Sequence, residues 1–258
     1  MTEVRLTLVG GPTVLLEFDG WRLLTDPTFD PAGRRYAFGW GTSSRKLDGP
    51  AIPVAELGPI DAVLLSHDQH GDNLDDAGRA VLTGVETVVT TASGARRLAG
   101  GARGLRFWDT VRLTKPGRPA VVVTATPCRH GPPLSRAIVG DVIGFALRWD
   151  GQRNGALWFT GDTVLYRGVR EVADRIQVGT MLPHLGGVRF PITGPIRYSM
   201  TARQAVRLCD LVRPRTTIPV HYEGWQHFRE PRAAIERAFA ARPELRWAPI
   251  GAPLTITV

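Results

Sequence analysis

Four short apolar runs in this chain each break off at a histidine or an aspartate, and that repetition restricts the fold more than any other feature. Val63-Leu64-Leu65 runs into Ser66-His67-Asp68-Gln69-His70-Gly71-Asp72-Asn73. Val121-Val122-Val123 leads through Pro127-Cys128-Arg129 to His130-Gly131. Leu157-Trp158-Phe159-Thr160 ends at Gly161-Asp162, and Thr217-Ile218-Pro219-Val220 ends at His221-Tyr222. Runs this short, aliphatic and β-branched, read as buried strands. Strands that stop at one edge of a sheet gather such end residues from distant parts of a chain. Imidazole nitrogen and carboxylate oxygen are the donors that suit zinc and its first-row neighbours, so the pattern predicts a metal site.

The stretches between these runs fit the same picture. Strand-like patterns over 5–9, 14–18 and 22–25 are separated by Gly10-Gly11-Pro12 and by Asp19-Gly20, a dipeptide favoured in hairpin turns because both positions tolerate positive φ. Residues 26–50 hold several Pro and Gly and few periodic apolar positions, and read as a long surface excursion bordering a site. Asp72 or Asn73 is placed to N-cap a helix starting near Leu74. Helical patterns follow over 75–82 and over 92–98, the second with a cap at Thr91 or Ser93, and later over 166–176, 201–212 and 231–241. Thr201 supplies a capping hydroxyl ahead of Ala202-Arg203-Gln204. Further strands are expected over 85–90, 106–108, 111–114, 120–124, 142–149 and 156–160. Hairpins that open each half, followed by alternating helices and strands, point to two similar α/β halves. No repeat or linker separates them, so residues 1–258 are expected to form one domain.

Composition excludes several classes. A chain of 258 residues buries roughly 70–75% of its unfolded surface and needs no staples to fold. Its 43% hydrophobic and 22% charged residues are those of an ordinary globular protein. No run approaches the roughly 20 apolar residues of a membrane span. Met1-Thr2-Glu3-Val4-Arg5 lacks a signal-peptide core, and the two cysteines are far apart in sequence, so a cytoplasmic location is expected. The net charge of +8 is almost all arginine, since Lys46 and Lys115 are the only lysines. These arginines are scattered, which argues against a nucleic-acid partner and leaves only a hint of anionic small-molecule substrates. A Gly-rich phosphate loop with lysine and a Gly-x-Ser-x-Gly elbow are both missing.

The order and spacing of the site candidates resemble the metallo-β-lactamase-fold hydrolase superfamily. Its pattern is a strand, His-x-His-x-Asp-His, a further His, a bridging Asp after Gly, and a last His. The corresponding positions here are residues 67–73, His130, Asp162 and His221. Residues 8–17 and 23–27 look like the branch containing ascorbate-phosphate lactonase and the phosphodiesterase of N-acyl phosphatidylethanolamine. The resemblance implies an α/β (α+β) fold, a four-layer αββα sandwich. It also implies metal ligands His67, His70, Asp72, His130, Asp162 and His221 for one or two Zn²⁺ ions, with Mn²⁺ an alternative. Two departures stand out. The first motif carries one extra residue, so either Gln69 is inserted and His67 and His70 both ligate, or Asp68 replaces the first His. Imidazole is the better zinc donor, which favours His67. Asn73 stands where the final His is expected, which weakens the second metal position. His184, in Leu182-Pro183-His184-Leu185, either compensates as a ligand, donates a proton, or is a surface loop residue.

The implied chemistry follows from the ions. A zinc-type cation lowers the pKa of bound water from about 15.7 to about 7. Asp72 would orient that hydroxide and accept its proton, with Tyr222 either an oxyanion donor or a packing residue. The expected protein is a metal-dependent hydrolase that turns a metal-bound hydroxide on a small ester, lactone or phosphodiester. The alternatives are a nucleic-acid phosphodiesterase and a catalytically impaired metal-binding or scaffold protein of the same fold. Di-iron redox chemistry also occurs in the superfamily, but the flavodoxin-like extension that goes with it is missing. Oligomeric state is not legible.

Overall fold

A computed structural model describes residues 2–258. The chain opens with β1 (Glu3–Gly10), β2 (Thr13–Phe18) and β3 (Trp21–Thr25), then the hairpin β4 (Arg35–Gly39) and β5 (Thr42–Arg45). Next come β6 (Ala62–Leu64), α1 (Asp76–Leu82), β7 (Thr87–Thr91), α2 (Ala92–Leu98) and β8 (Arg103–Leu105). The second half holds β9 (Thr110–Leu113), β10 (Val121–Pro127), α3 (Arg136–Val139), β11 (Ile143–Arg148), β12 (Ala156–Phe159) and α4 (Arg167–Arg175). It closes with β13 (Val178–Leu182), α5 (Ala202–Val212), β14 (Thr216–Thr217), α6 (Arg232–Ala238) and β15 (Pro253–Thr257).

Two sheets carry the fold, in the orders β15-β1-β2-β3-β6-β7-β8 and β14-β13-β12-β11-β10-β9. Each has antiparallel hairpins in one part and parallel crossovers through helices in the other. Strand alternation decides which residues meet between them. In β6, Ala62 and Leu64 face a core shared with Val123, Phe145, Leu157 and Leu182 of the second sheet. Val63 and Leu65 face the other way, toward Val81, Leu82 and Leu98 of α1 and α2. The outer face of the second sheet is covered likewise by α4, α5 and α6 through Val169, Val172, Ala205, Leu208 and Ile235. The result is the expected αββα sandwich. Each fully buried aliphatic side chain contributes about 1.5–3 kcal/mol. Among the described residues no helix is long and apolar enough to cross a membrane.

Local chemistry set several boundaries elsewhere than the sequence pattern predicted. Asp75, not Asp72 or Asn73, caps α1, accepting from the Gly78 amide at 2.8 Å; the other two are drawn into the site described below. The strand expected over 106–108 lies instead at β8, because the Asp109 carboxylate accepts from the Arg106 amide and closes a turn there. The excursion over 26–50 contains the β4–β5 hairpin, which turns at Trp40 and Gly41, both at positive φ. α5 begins with the capping box that Thr201 and Gln204 foreshadow.

Gly78 shows how tightly the first helix is seated. A Cβ there would lie 1.9 Å from the Pro27 carbonyl oxygen. In an open helix, Gly→Ala stabilises by about 1 kcal/mol. Here Gly78→Ala is expected to destabilise by about 1–3 kcal/mol through overpacking, measurable as a lowered urea midpoint with an unchanged slope.

Candidate metal centre

The strand ends meet where the sequence pattern predicts, at one rim of the sandwich. His67 follows β6, His130 follows β10, Asp162 follows β12 and His184 follows β13. Val220 pairs with His184 in a short parallel bridge and sets His221 beside it. His221 holds a left-handed φ of 58°, unusual for a residue with a side chain, and its amide donates to the Gly11 carbonyl at 2.9 Å. All six histidines of the chain are buried at this rim.

Three of them form one group. His67 Nε2 lies 3.0 Å and His130 Nε2 3.2 Å from His70 Nδ1. The outward nitrogens are tied down: His130 Nδ1–H donates to the Tyr198 carbonyl at 2.6 Å, and His67 Nδ1 lies 2.9 Å from Ser66 Oγ. The carbonyl bond leaves His130 Nε2 with a lone pair pointing inward, the tautomer a metal ligand requires. Burial, reinforced by the neighbouring imidazoles, pushes His67 well below its usual range and His70 down to about 4. With His67 and His70 held neutral and three ring nitrogens turned to one point, the group suits a cation.

The second group is acidic. His184 Nδ1 lies 2.9 Å from Asp162 Oδ1, and His221 Nε2 lies 3.3 Å from both Asp162 Oδ2 and Asp72 Oδ2. His227 Nε2 reaches Asp72 Oδ2 at 2.9 Å. Burial alone would raise Asp72, but the close approach of His221 and the hydrogen bond with His227 hold it well below the carboxylate range. Burial would likewise raise Asp162, which the charge of His221 and the hydrogen bond of His184 hold down. Burial would lower His221, yet Asp162 and Asp72 push it up to about 9. The two carboxylates thus demand a positive charge between them. His184 Nε2, His221 Nε2 and His227 Nδ1 are buried without a hydrogen-bond partner. Converging lone pairs, anionic oxygens and unpartnered ring nitrogens fit divalent cations of the zinc type.

Of the two readings of the first motif, the geometry follows one. His67 points inward, whereas Asp68 turns away and accepts two bonds from Arg97 at 2.8 and 2.5 Å. Gln69 lies against Gly140, away from this cluster. Tyr222 corrects an expectation. Its ring packs edge-on against Trp247 in the helical layer and its hydroxyl meets Glu223, so it faces away from the site. His184 is buried rather than at the surface. His227 went unrecognised because Glu223-Gly224-Trp225-Gln226 carries no strand signal before it. A tally of histidines against a single site would have found it.

Over the cluster lies a cavity of about 200 Å³. His70, Asp72, His130 and His227 form its floor; Phe38, Trp40, Val139, Val188, Phe190 and Tyr198 form much of its wall. The β4–β5 hairpin supplies Phe38 and Trp40, so the excursion does border the site. None of the lining residues is Lys or Arg, despite the net charge of +8. A neighbouring groove of about 290 Å³ shares His227 and Phe190 and contains Arg35 and Arg229.

Comparison with known proteins agrees with this architecture. The family described as Beta-lactamase superfamily domain matches residues 21–222. A UPF0173 metal-dependent hydrolase from Deinococcus radiodurans is 32% identical over 186 residues, covering 68% of this chain and 73% of that protein. One from Methanoregula boonei is 27% identical, covering 77% and 85%. Among solved structures, an isothiocyanate hydrolase from Delia radicum gut bacteria aligns with a TM-score of 0.79 at 18% identity, covering 100% and 99%. The metallo hydrolase Igni18 from Ignicoccus hospitalis aligns at 0.73, also at 18% identity, covering 99% of each chain.

Proposed function

We propose that this chain, which belongs to the beta-lactamase superfamily and is a metal-dependent hydrolase, cleaves a small uncharged ester or lactone. The observation that carries the substrate class is the apolar, aromatic wall above the histidine floor, with no cationic side chain in it. His67, His70 and His130 would hold one cation; Asp72, Asp162 and His221 are the donors of a second group. A divalent ion held there, Zn²⁺ or Mn²⁺, supplies Lewis acidity and brings water's pKa near neutrality.

The chain's own residues do the rest. Asp72 is anionic, fixed by His221 and His227, and lies on the cavity floor. It is positioned to orient a water and take its proton. Phe38, Val188 and Phe190 exclude bulk water and seat the apolar part of the substrate. One hydrophobic core joins both sheets and both sheets build the site, which supports reading the whole chain as a single hydrolase domain. Two buried, unpaired cysteines, Cys128 and Cys209, support a reducing, cytoplasmic setting.

A phosphodiester is the second reading, favoured by Arg35 and Arg229 in the adjoining groove. Turnover of the Zn²⁺- or Mn²⁺-loaded protein on matched aryl esters, lactones and phosphodiesters separates the two. The expected result is at least about a tenfold preference in kcat/KM for the uncharged substrates, lost on chelation. A preference for phosphodiesters would select the second reading, and no turnover of any class with metal bound would point to a binding or scaffold protein.

A further inference from the structure

The donor set of the acidic group is not the one that the sequence motif presents. Asn73 sits next to Asp72 and is fully buried. Of its two amide orientations, one satisfies both ends: Nδ2 donates to Asp72 Oδ1 and Asp162 Oδ2, each at 3.2 Å. The other end of the amide lies 3.4 Å from both Ser66 Oγ and Asp26 Oδ2. An amide whose N–H groups face both carboxylates has no lone pair to offer at that point. In that orientation Asn73 ties the two acids together and turns N–H groups, not its oxygen, toward them.

The missing imidazole comes from the adjacent strand. A ring nitrogen of His184, one of His221 and an oxygen of Asp162 all lie within 4.8 Å of one another, as do the nitrogens of His67, His70 and His130. The His184 ring stacks on that of His221 at 5.4 Å. Its backbone is pinned, the amide donating to Thr160 Oγ1 at 3.0 Å, while Nε2 is buried and unpartnered. His227 does not belong to this group: it meets Asp72 alone among the acids and is packed among Phe38, Phe190 and Phe228. We infer that a second divalent cation is held by Asp162, His184 and His221, with His184 a ligand in place of Asn73. This rests on the reading of the site as a metal centre. It makes the chain a two-metal protein with a relocated donor, and it assigns His184 to ligation rather than to proton donation.

Metal content tests the assignment without reference to turnover. Zn²⁺-loaded, desalted protein is expected to hold two ions per chain by elemental analysis. His184→Ala should weaken the second ion about 100-fold or more, measured by chelator competition, whereas Asn73→Ala should weaken it less than about tenfold. His184→Gln, which keeps a hydrogen-bonding amide beside Asp162, is expected to lose the ion as His184→Ala does; circular dichroism checks that each variant is folded. With Co²⁺, the visible absorption of the second site should disappear in both His184 variants. A single ion in the wild type, equal or larger losses in Asn73→Ala, or retention by His184→Gln would each overturn the inference and leave the hydrolase reading standing. A wild type that binds no ion would overturn both.

Discussion

His67→Ala is expected to lower kcat/KM by about 10³-fold or more, while its neighbour Asp68→Ala leaves it within about threefold. The two side chains differ in what they face. His67 Nε2 is one of three inward nitrogens, 3.0 Å from its partner in His70. Removing it leaves two imidazoles in that group, and without a tightly held cation water keeps its ordinary acidity, far from neutrality. Asp68 instead accepts from the half-exposed Arg97, and the carbonyl of Asp68 accepts from Arg79 at 2.5 Å. Its loss is expected to appear as about 1 kcal/mol of stability with the metal content unchanged. Steady-state kinetics and elemental analysis on the two variants check both statements. Comparable activity losses in the pair would show that the first motif is seated in the other register.

The largest effect on stability is expected from Lys46→Met. Lys46 is 3% exposed and its Nζ lies 2.8 Å from Asp75 Oδ2. That same carboxylate accepts from the amides of Phe29, Asp30 and Gly78, at 2.8, 2.7 and 2.8 Å. One buried anion thus caps α1, fixes the loop after β3 and anchors the end of β5. Methionine fills the volume but leaves the anion without its cation, and breaking a buried pair from one side costs about 3–5 kcal/mol. At this size the melting temperature should fall on the order of 10 °C. Because the anchored hairpin carries Phe38 over His70 and His227, KM should rise more than kcat falls. Lys46→Met should cost less in an Asp75→Asn background than in the wild type, and a fully additive double variant would show that the pair does not act as a unit.

What the sequence made legible was decided by periodicity. Strands such as β6 and β12 are apolar on both faces because both are covered, and β10 opens on three valines, so their runs are continuous and their ends easy to place. The residues at those ends, His67, His130 and Asp162, were legible for the same reason; the run before His221 forms a strand only at Thr216–Thr217, because beyond it Val220 makes just the single bridge to His184. The β4–β5 hairpin was not, because Arg35, Ala37, Ser43 and Arg45 mostly face outward and only Phe38 and Ser44 are buried. His227 follows no strand, and its approach to Asp72 is a contact across 155 positions that no local pattern encodes. Nor could composition show that the cavity avoids the arginines, since +8 is a sum over a surface and the site is a selection from it.

The gathering of every histidine at one rim has a practical consequence for spectroscopy. In most proteins, imidazole signals from a working site must be sorted from those of bystanders. Here an ¹⁵N-imidazole spectrum has six possible sources, and each belongs to the cluster or touches one of its acids. The molecule is in effect labelled at its centre by its own composition, so a tautomer count or a metal titration followed through its histidines reports on that centre and on nothing else.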